Sequence, residues 1–122
     1  MSASDFKLLF DGCLEDQEIV VRQFVLSLVG EVAKYCPKLV FEHIEHYAQN
    51  LMLNMTVLNP DEDPESNCEM ACNNATFSVG EFAIAFPNEF SPYVPDFATR
   101  ICDIMESGYV VKFQTKLSHY NL

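Results

Sequence analysis

A ten-residue pattern occurs twice in this 122-residue chain, at a spacing of fifty residues. Residues 28–37 align with residues 78–87, and Val, Gly, Glu, Ala and Pro occupy matching positions. The agreement then continues without a gap: Ile44 aligns with Val94, Tyr47 with Phe97, Leu51 with Ile101, and Met55 with Met105. Self-similarity at a fixed spacing is typical of chains built from stacked supersecondary units. The chain therefore contains two copies of one structural unit.

Each copy is predicted to form two helices separated by a proline. Before Pro37, apolar residues recur at three- and four-residue steps, as on the buried face of an amphipathic helix: Val21, Phe24, Val25, Leu28 and Val32. Proline lacks the amide donor and ends this helix; a second helix follows, and the same plan recurs around Pro87. Residues 6–14 supply an incomplete helix at the front, and no stretch alternates for long enough to indicate a strand. The pattern predicts an all-α stack of antiparallel helix pairs.

Residues 59–67 separate the two copies and are predicted to form an exposed acidic loop. This segment has two prolines, four acidic residues and no apolar residue. We expect the loop, and Asp61–Glu65 in particular, to be mobile and to make no contact with the core.

The formal net charge of −11 argues against a nucleic-acid partner, because phosphates require a basic surface. The negative charge favours a basic partner. The alternative is that it only keeps the chain soluble. No apolar run is long enough to span a bilayer, and no signal peptide is recognisable, so membrane insertion is not expected. These features, and an odd number of cysteines typical of reduced thiols, predict a protein of the cytoplasm and nucleus.

The sequence does not favour an enzyme. His43 and His46 are three residues apart, whereas a helical zinc site of the HExxH kind needs a spacing of four. Cys68 and Cys72 lack the second cysteine pair of a tetrahedral site, and the four glycines are isolated. A Cys–His nucleophile pair stays open, because such partners meet only in the folded chain. We expect no catalytic residues, no metal and no cofactor.

Two segments resemble a known family. Asp16 followed by Val21 and Arg22 resembles the turn of HEAT repeats, where the Asp and Arg tie successive repeats together. The segment 72–81, Cys-Asn-Asn-Ala-Thr-Phe-Ser-Val-Gly-Glu, looks like a segment of the transportins, which are karyopherin-beta nuclear import receptors. The residues Arg-Gln at 22–23, Leu-Val-Gly-Glu at 28–31 and Leu-Asn-Pro at 58–60 match in the same order. The resemblance implies a HEAT-repeat α-solenoid segment at 1–105, from the C-terminal half of such a receptor, and a divergent tail at 106–122.

The resemblance also implies a function. Transportins bind extended basic nuclear localisation signals that end in Pro-Tyr, with acidic and aromatic residues on their inner helices. The inner helices here would be 19–35 and 68–86, and the outer helices 38–55 and 92–105. The partners would be basic cargo proteins, and the Ran GTPase would bind only through repeats that this chain lacks.

Four residues are the candidate cargo-binding residues. By resemblance, Phe77 takes the place of a cargo-contacting tryptophan, and Glu31 takes the place of an acidic residue that meets the basic part of the signal. Asn73 and Glu81 lie four residues either side of Phe77 and share its helix face. The alternatives are that Phe77 is a core residue and that the glutamates are solvated surface.

A general HEAT-repeat scaffold or adaptor with no transport role is the alternative function. In either case we expect an isolated segment to be marginally stable or to self-associate, because its ends lack neighbouring repeats.

Overall fold

The computed structural model describes residues 1–55 and 66–106, the first three residues of the second stretch as backbone only. Within these residues there are helices and turns but no strand. The α-helices are α1 (Ala3–Leu14), α2 (Ile19–Tyr35), α3 (Ile44–Leu53), α4 (Ser66–Ala85) and α5 (Val94–Glu106). Short 3-10 turns at Pro37–Leu39, Phe41–His43 and Ser91–Tyr93 precede α3 and α5.

Local sequence signals account for the ends of several helices. Helix α1 begins with a capping box, because the Ser2 hydroxyl accepts a hydrogen bond from the Asp5 amide at 3.1 Å and the Asp5 carboxylate accepts one from the Ser2 amide at 3.3 Å. Helices α2 and α4 both end two residues before a proline, at Pro37 and Pro87.

Helices α2 and α4 lie side by side and run parallel, and together they form the inner layer. The Asn74 side-chain amide donates to the Gln23 carbonyl oxygen at 2.8 Å, and the Ser78 hydroxyl donates to the Leu26 carbonyl oxygen. Each contact joins residues about fifty positions apart, so the spatial repeat equals the repeat in the sequence.

Gly30 makes this close approach possible. A Cβ atom at Gly30 would lie 2.7 Å from the Ser78 Cα atom and 2.5 Å from its hydroxyl oxygen. No real Cβ atom comes that near to a neighbouring backbone, so only glycine lets α4 lie this close to α2.

Helices α1, α3 and α5 form the outer layer. The rings of Phe10 and Tyr47 meet edge to face at a centroid distance of 5.0 Å, and His46 Nε2 lies 2.6 Å from Asp11 Oδ1, so α1 and α3 are neighbours. The Arg100 guanidinium on α5 donates to the Met55 carbonyl oxygen at 2.7 Å, just beyond the end of α3.

Aromatic rings link the two layers in the core. Phe82 of the inner helix α4 is fully buried and lies within 6.1 Å of the Tyr47 ring and 5.7 Å of the Phe90 ring, measured between centroids. Phe90 in turn stacks on Phe97 of α5 at 5.5 Å and an interplanar angle of 12°. One continuous core therefore runs between the layers from α1 to α5.

This architecture confirms the predicted fold class, an all-α HEAT-repeat solenoid segment of antiparallel helix pairs. Helix α2 spans the predicted residues 19–35. Helix α4 spans 66–85 rather than 68–86, so Ser66 and Asn67 are helical and the predicted loop 59–67 was too long at that end. The acidic residues Asp61–Glu65 lie outside the described residues, as does the tail after Glu106.

Two predictions about local structure were wrong. The outer helix expected at 38–55 begins only at Ile44, because backbone angles of φ −120°, ψ −13° at Val40 and φ −126°, ψ 32° at His43 interrupt regular helix. The Asp–Arg pair does not tie one described repeat to the other. The Arg22 guanidinium donates instead to the backbone carbonyl of Asp16, and the Asp16 carboxylate accepts from the Glu18 amide at 2.8 Å, within the same turn.

Candidate functional site

The candidate site is the solvent side of the inner layer, which we call the inner surface. Helix α2 contributes Val20, Ser27, Glu31 and Lys34, and helix α4 contributes Met70, Asn73, Phe77, Glu81 and Ile84. Their three-, four- and seven-residue spacings place each set on one side of its helix. The opposite sides of α2 and α4 carry buried residues such as Val25 and Phe82.

Phe77 is exposed at this surface, with 40% of its area accessible to solvent. Its neighbours in the sequence, Ser78 and Val79, are buried in the packing of α4, so the helix holds the ring in place at the boundary of the core. Asn73 and Glu81 are half-buried one turn before and one turn after it. The three residues share one face of α4, and Phe77 is not a core residue.

Glu31 is exposed on α2 and shares an electrostatic neighbour with Glu81. That neighbour is Lys34, whose pKa lies above its usual value. The largest causes are a hydrogen bond to Tyr35 and the charge of the Tyr35 phenol, and the carboxylates of Glu81 and Glu31 raise the pKa further. The two glutamates that the sequence singled out separately therefore both act electrostatically on Lys34, one from α2 and one from α4.

Lys34 is the residue that the sequence analysis missed. Its Nζ atom lies 5.2 Å from the centroid of the Tyr35 ring, in a cation–π contact. The available signal was its position three residues after Glu31, a spacing at which opposite charges on a helix interact. Lys34 reduces the negative potential that Glu31 and Glu81 produce at the inner surface.

The inner surface also exposes aliphatic side chains on both helices. Ile84 is 78% and Val20 72% exposed, and Met70 is 45% exposed. Val20 and Met70 lie near the starts of the parallel helices α2 and α4, and Ile84 lies near the end of α4, so apolar side chains are exposed at both ends of the inner surface. These residues fall outside the apolar stripes that define the core in the sequence, which was the signal that could have identified them.

The chemistry of this surface suits an extended peptide. Carboxylates attract Lys and Arg side chains, and an aromatic ring covers their aliphatic stems or a guanidinium plane. The amide of Asn73 offers one acceptor and two donors to a peptide backbone.

Within 1–55 and 66–106, no three His, Cys, Asp or Glu side chains come together as metal ligands would. His46 pairs with Asp11 instead, and burial raises the pKa of the Cys72 thiol. None of the helices described for the chain has the length and apolarity that crossing a membrane requires.

The fold defines the class of protein as a helical solenoid segment. The chain is similar to several curated proteins. It is 29% identical to human Transportin-1 over 105 residues, which is 86% of this chain and 11% of that protein. It is 28% identical to rice Transportin-1 over 107 residues, and 28% identical to Importin subunit beta-2 of Schizosaccharomyces pombe over 95 residues.

These matches cover 88% and 78% of this chain and 11% and 10% of those two proteins, so the chain spans about a ninth of the length of such relatives. No protein-family model and no solved structure matches the chain. The similarity to several transportins agrees with the karyopherin-beta resemblance found in the sequence.

Proposed function

We propose that the chain is a protein-binding segment of a nuclear import receptor, and that its inner surface binds extended basic segments of cargo proteins that end in Pro-Tyr. The observation that carries this proposal is the exposed ring of Phe77 on the same surface as the carboxylates of Glu31 and Glu81. The similarity to proteins named transportin and importin subunit beta-2 supports the transport role. The role is binding and not catalysis.

The proposal extends to the setting of the segment. Residues 1–105 would form the HEAT-repeat part of the chain, taken from the C-terminal half of a receptor, and the receptor would move between cytoplasm and nucleus. Ran would bind at other repeats. Charge complementarity supports a basic cargo, since the chain carries a net charge of −11.

The test is titration of a fluorescein-labelled basic peptide ending in Pro-Tyr, followed by fluorescence anisotropy at about 50 mM and about 300 mM salt. The Debye length falls from roughly 14 Å to about 6 Å between these conditions, so contacts between exposed charges weaken. We expect binding that is several-fold tighter at low salt, and we expect Phe77→Ala to weaken it at both salt concentrations.

Charge-reversal variants separate this surface from general acidity. Glu31→Lys and Glu81→Lys should weaken binding more at low salt than at high salt. Glu42→Lys is the matched control, because Glu42 is exposed in the turn before α3, in the outer layer, and its reversal changes the net charge equally. Equal losses for all three variants would mean that only the overall charge attracts the peptide.

Lys34 gives a test with the opposite sign. Replacing it with methionine removes a positive charge that interacts electrostatically with both carboxylates, so the basic peptide should bind more tightly to Lys34→Met than to the parent chain. Lack of binding by any basic Pro-Tyr peptide at either salt concentration would overturn the cargo assignment and leave the general scaffold.

A further inference from the structure

A groove lies where the turns of the first copy meet the end of the inner helix of the second copy. It is lined by Pro37, Lys38, Phe41 and Glu42 from the two 3-10 turns and by Phe86, which follows α4. Its volume is about 390 Å³, and sites that hold ligands typically measure about 300–1,000 Å³. We call it the turn groove.

Two phenylalanine rings form the aromatic part of the turn groove. The rings of Phe41 and Phe86 lie 5.8 Å apart between centroids and are tilted by 50°. Phe86 is buried and lies 5.7 Å from the ring of Phe82 in the core, whereas Phe41 is 50% exposed. The core therefore holds a half-exposed aromatic ring in a fixed place at the groove.

The fold does not require an aromatic residue at position 41. In the second copy the equivalent turn, fifty residues later, is Ser91–Tyr93, and it has the same length as Phe41–His43. Because a serine begins that turn equally well, the Phe41 ring is not needed to form it. A large aromatic ring that the turn does not need and that water reaches is typical of a contact surface.

The charges at the edge of the turn groove cancel. Lys38 and Glu42 are both exposed, and neither forms an ion pair with another described residue. Together they carry no net charge, in a chain whose net charge is −11. A basic segment attracted by Glu42 would be repelled by Lys38, and an acidic segment would meet the reverse. The groove therefore favours an uncharged ligand.

We propose that the turn groove binds an uncharged proline-rich segment of a partner protein in the polyproline II conformation. Such a segment has three residues per turn, so prolines three positions apart share one edge and pack together against Phe41 and Pro37. Its backbone carbonyls make no internal hydrogen bonds, and the Lys38 ammonium can donate to them. Aromatic-lined grooves are the usual docking sites of proline-rich segments, which lose little conformational entropy on binding.

The inference does not rest on cargo binding, because no residue of the turn groove belongs to the inner surface. The two surfaces also differ in what they attract. The inner surface presents the carboxylates of Glu31 and Glu81, so salt should weaken its binding of basic peptides. Binding of an uncharged segment at the turn groove should depend little on salt.

The test is NMR titration of the full chain, labelled with nitrogen-15, with an uncharged peptide of about twelve residues in which the triplet Pro-Ser-Leu repeats. The peptide is acetylated and amidated. We expect shifts of the Lys38, Phe41 and Glu42 amide signals, and dissociation constants within about twofold of each other at about 50 mM and about 300 mM salt. A peptide with alanine in place of each proline should bind at least tenfold more weakly, because its backbone must be ordered on binding. Equal affinity for the two peptides would overturn the proposal.

Phe41→Ser places in the turn the residue that the second copy carries, so the turn should still form while the proline-rich peptide binds at least tenfold more weakly. Phe24→Ser is the matched control, because Phe24 is also an exposed phenylalanine but does not line the groove, and its affinity should be parental.

Lys38→Met guards against a folding defect at Phe41, because Lys38 is exposed and methionine keeps most of its aliphatic stem. It removes the donor to the peptide carbonyls, so binding should weaken several-fold. Parental affinity in both Phe41→Ser and Lys38→Met would overturn the proposal. A loss in Phe77→Ala as large as that in Phe41→Ser would place the peptide on the inner surface and would also overturn it.

Discussion

Gly30→Ala should destabilise the fold, although alanine is the better helix former. In a solvent-exposed helix this exchange stabilises by about 1 kcal/mol, because glycine loses more backbone entropy on folding. At Gly30 the added methyl group would lie 2.7 Å from the Ser78 Cα atom. Helices α2 and α4 must then move apart by several tenths of an ångström or more, because a backbone atom cannot rotate away.

The expected loss follows from what this movement disturbs. Overpacking of a well-packed contact costs about 1–3 kcal/mol. The hydrogen bonds from Asn74 to the Gln23 carbonyl and from Ser78 to the Leu26 carbonyl cross the same contact, and weakening them costs about 1 kcal/mol each. After subtraction of the propensity gain of about 1 kcal/mol, we expect a net destabilisation of about 2–4 kcal/mol.

The assay is urea unfolding of the full chain, followed by circular dichroism, with Gly12→Ala as the control. Gly12 has no atom within 4 Å of an added Cβ, so that variant should gain up to about 1 kcal/mol. A double variant, Gly30→Ala with Ser78→Gly, removes the Ser78 side chain and should recover part of the loss. Stabilisation of Gly30→Ala to the same extent as Gly12→Ala would refute the close approach of α2 and α4.

Three further predictions concern single side chains. Phe82→Ala should lower the free energy of unfolding, measured in urea, by about 3–5 kcal/mol, because Phe82 is fully buried. Phe77→Ala should lower it by less than half as much, because the Phe77 ring is already 40% exposed. Similar losses for the two variants would place Phe77 in the core. Iodoacetamide at pH 8 should modify Cys72 more slowly than the exposed Cys36, since burial raises the pKa of the Cys72 thiol, and mass spectrometry of tryptic peptides should detect the difference. Ser2→Ala should destabilise α1 by about 0.5–2 kcal/mol, because it removes the capping box. Hydrogen exchange of the α1 amides should become faster, and an unchanged exchange rate would contradict a capping role for Ser2.

The helical architecture could be predicted from sequence because its signals are local and repeated. Apolar residues at three- and four-residue steps predicted the two helices, and the prolines at 37 and 87 predicted where they end. The family resemblance supplied the bounds 19–35 and 68–86, which lie within two residues of the observed ends of α2 and α4. The interruption before α3 could not be predicted in the same way. Val40 continues the apolar stripe and is fully buried, as a residue of a regular helix would be, so the sequence pattern gives no sign that α3 begins only at Ile44.

The candidate site was predictable in part. The spacing of Asn73, Phe77 and Glu81 placed them on one face, and the structure places them there with Phe77 exposed. That Glu81 and Glu31 interact with the same lysine could not be read from the sequence, since it depends on the parallel packing of α2 and α4. Their role in binding cargo stays a prediction.

The pair Gly30 and Gly80 shows why a repeat in sequence does not imply a repeat in environment. Both residues occupy the same position of the fifty-residue unit, but one lies against Ser78 and the other meets no neighbouring atom. A unit of a solenoid gains stability from the units on either side, so an identical residue contributes to packing only where a neighbour covers it. For Gly80 that neighbour has to come from outside the described residues.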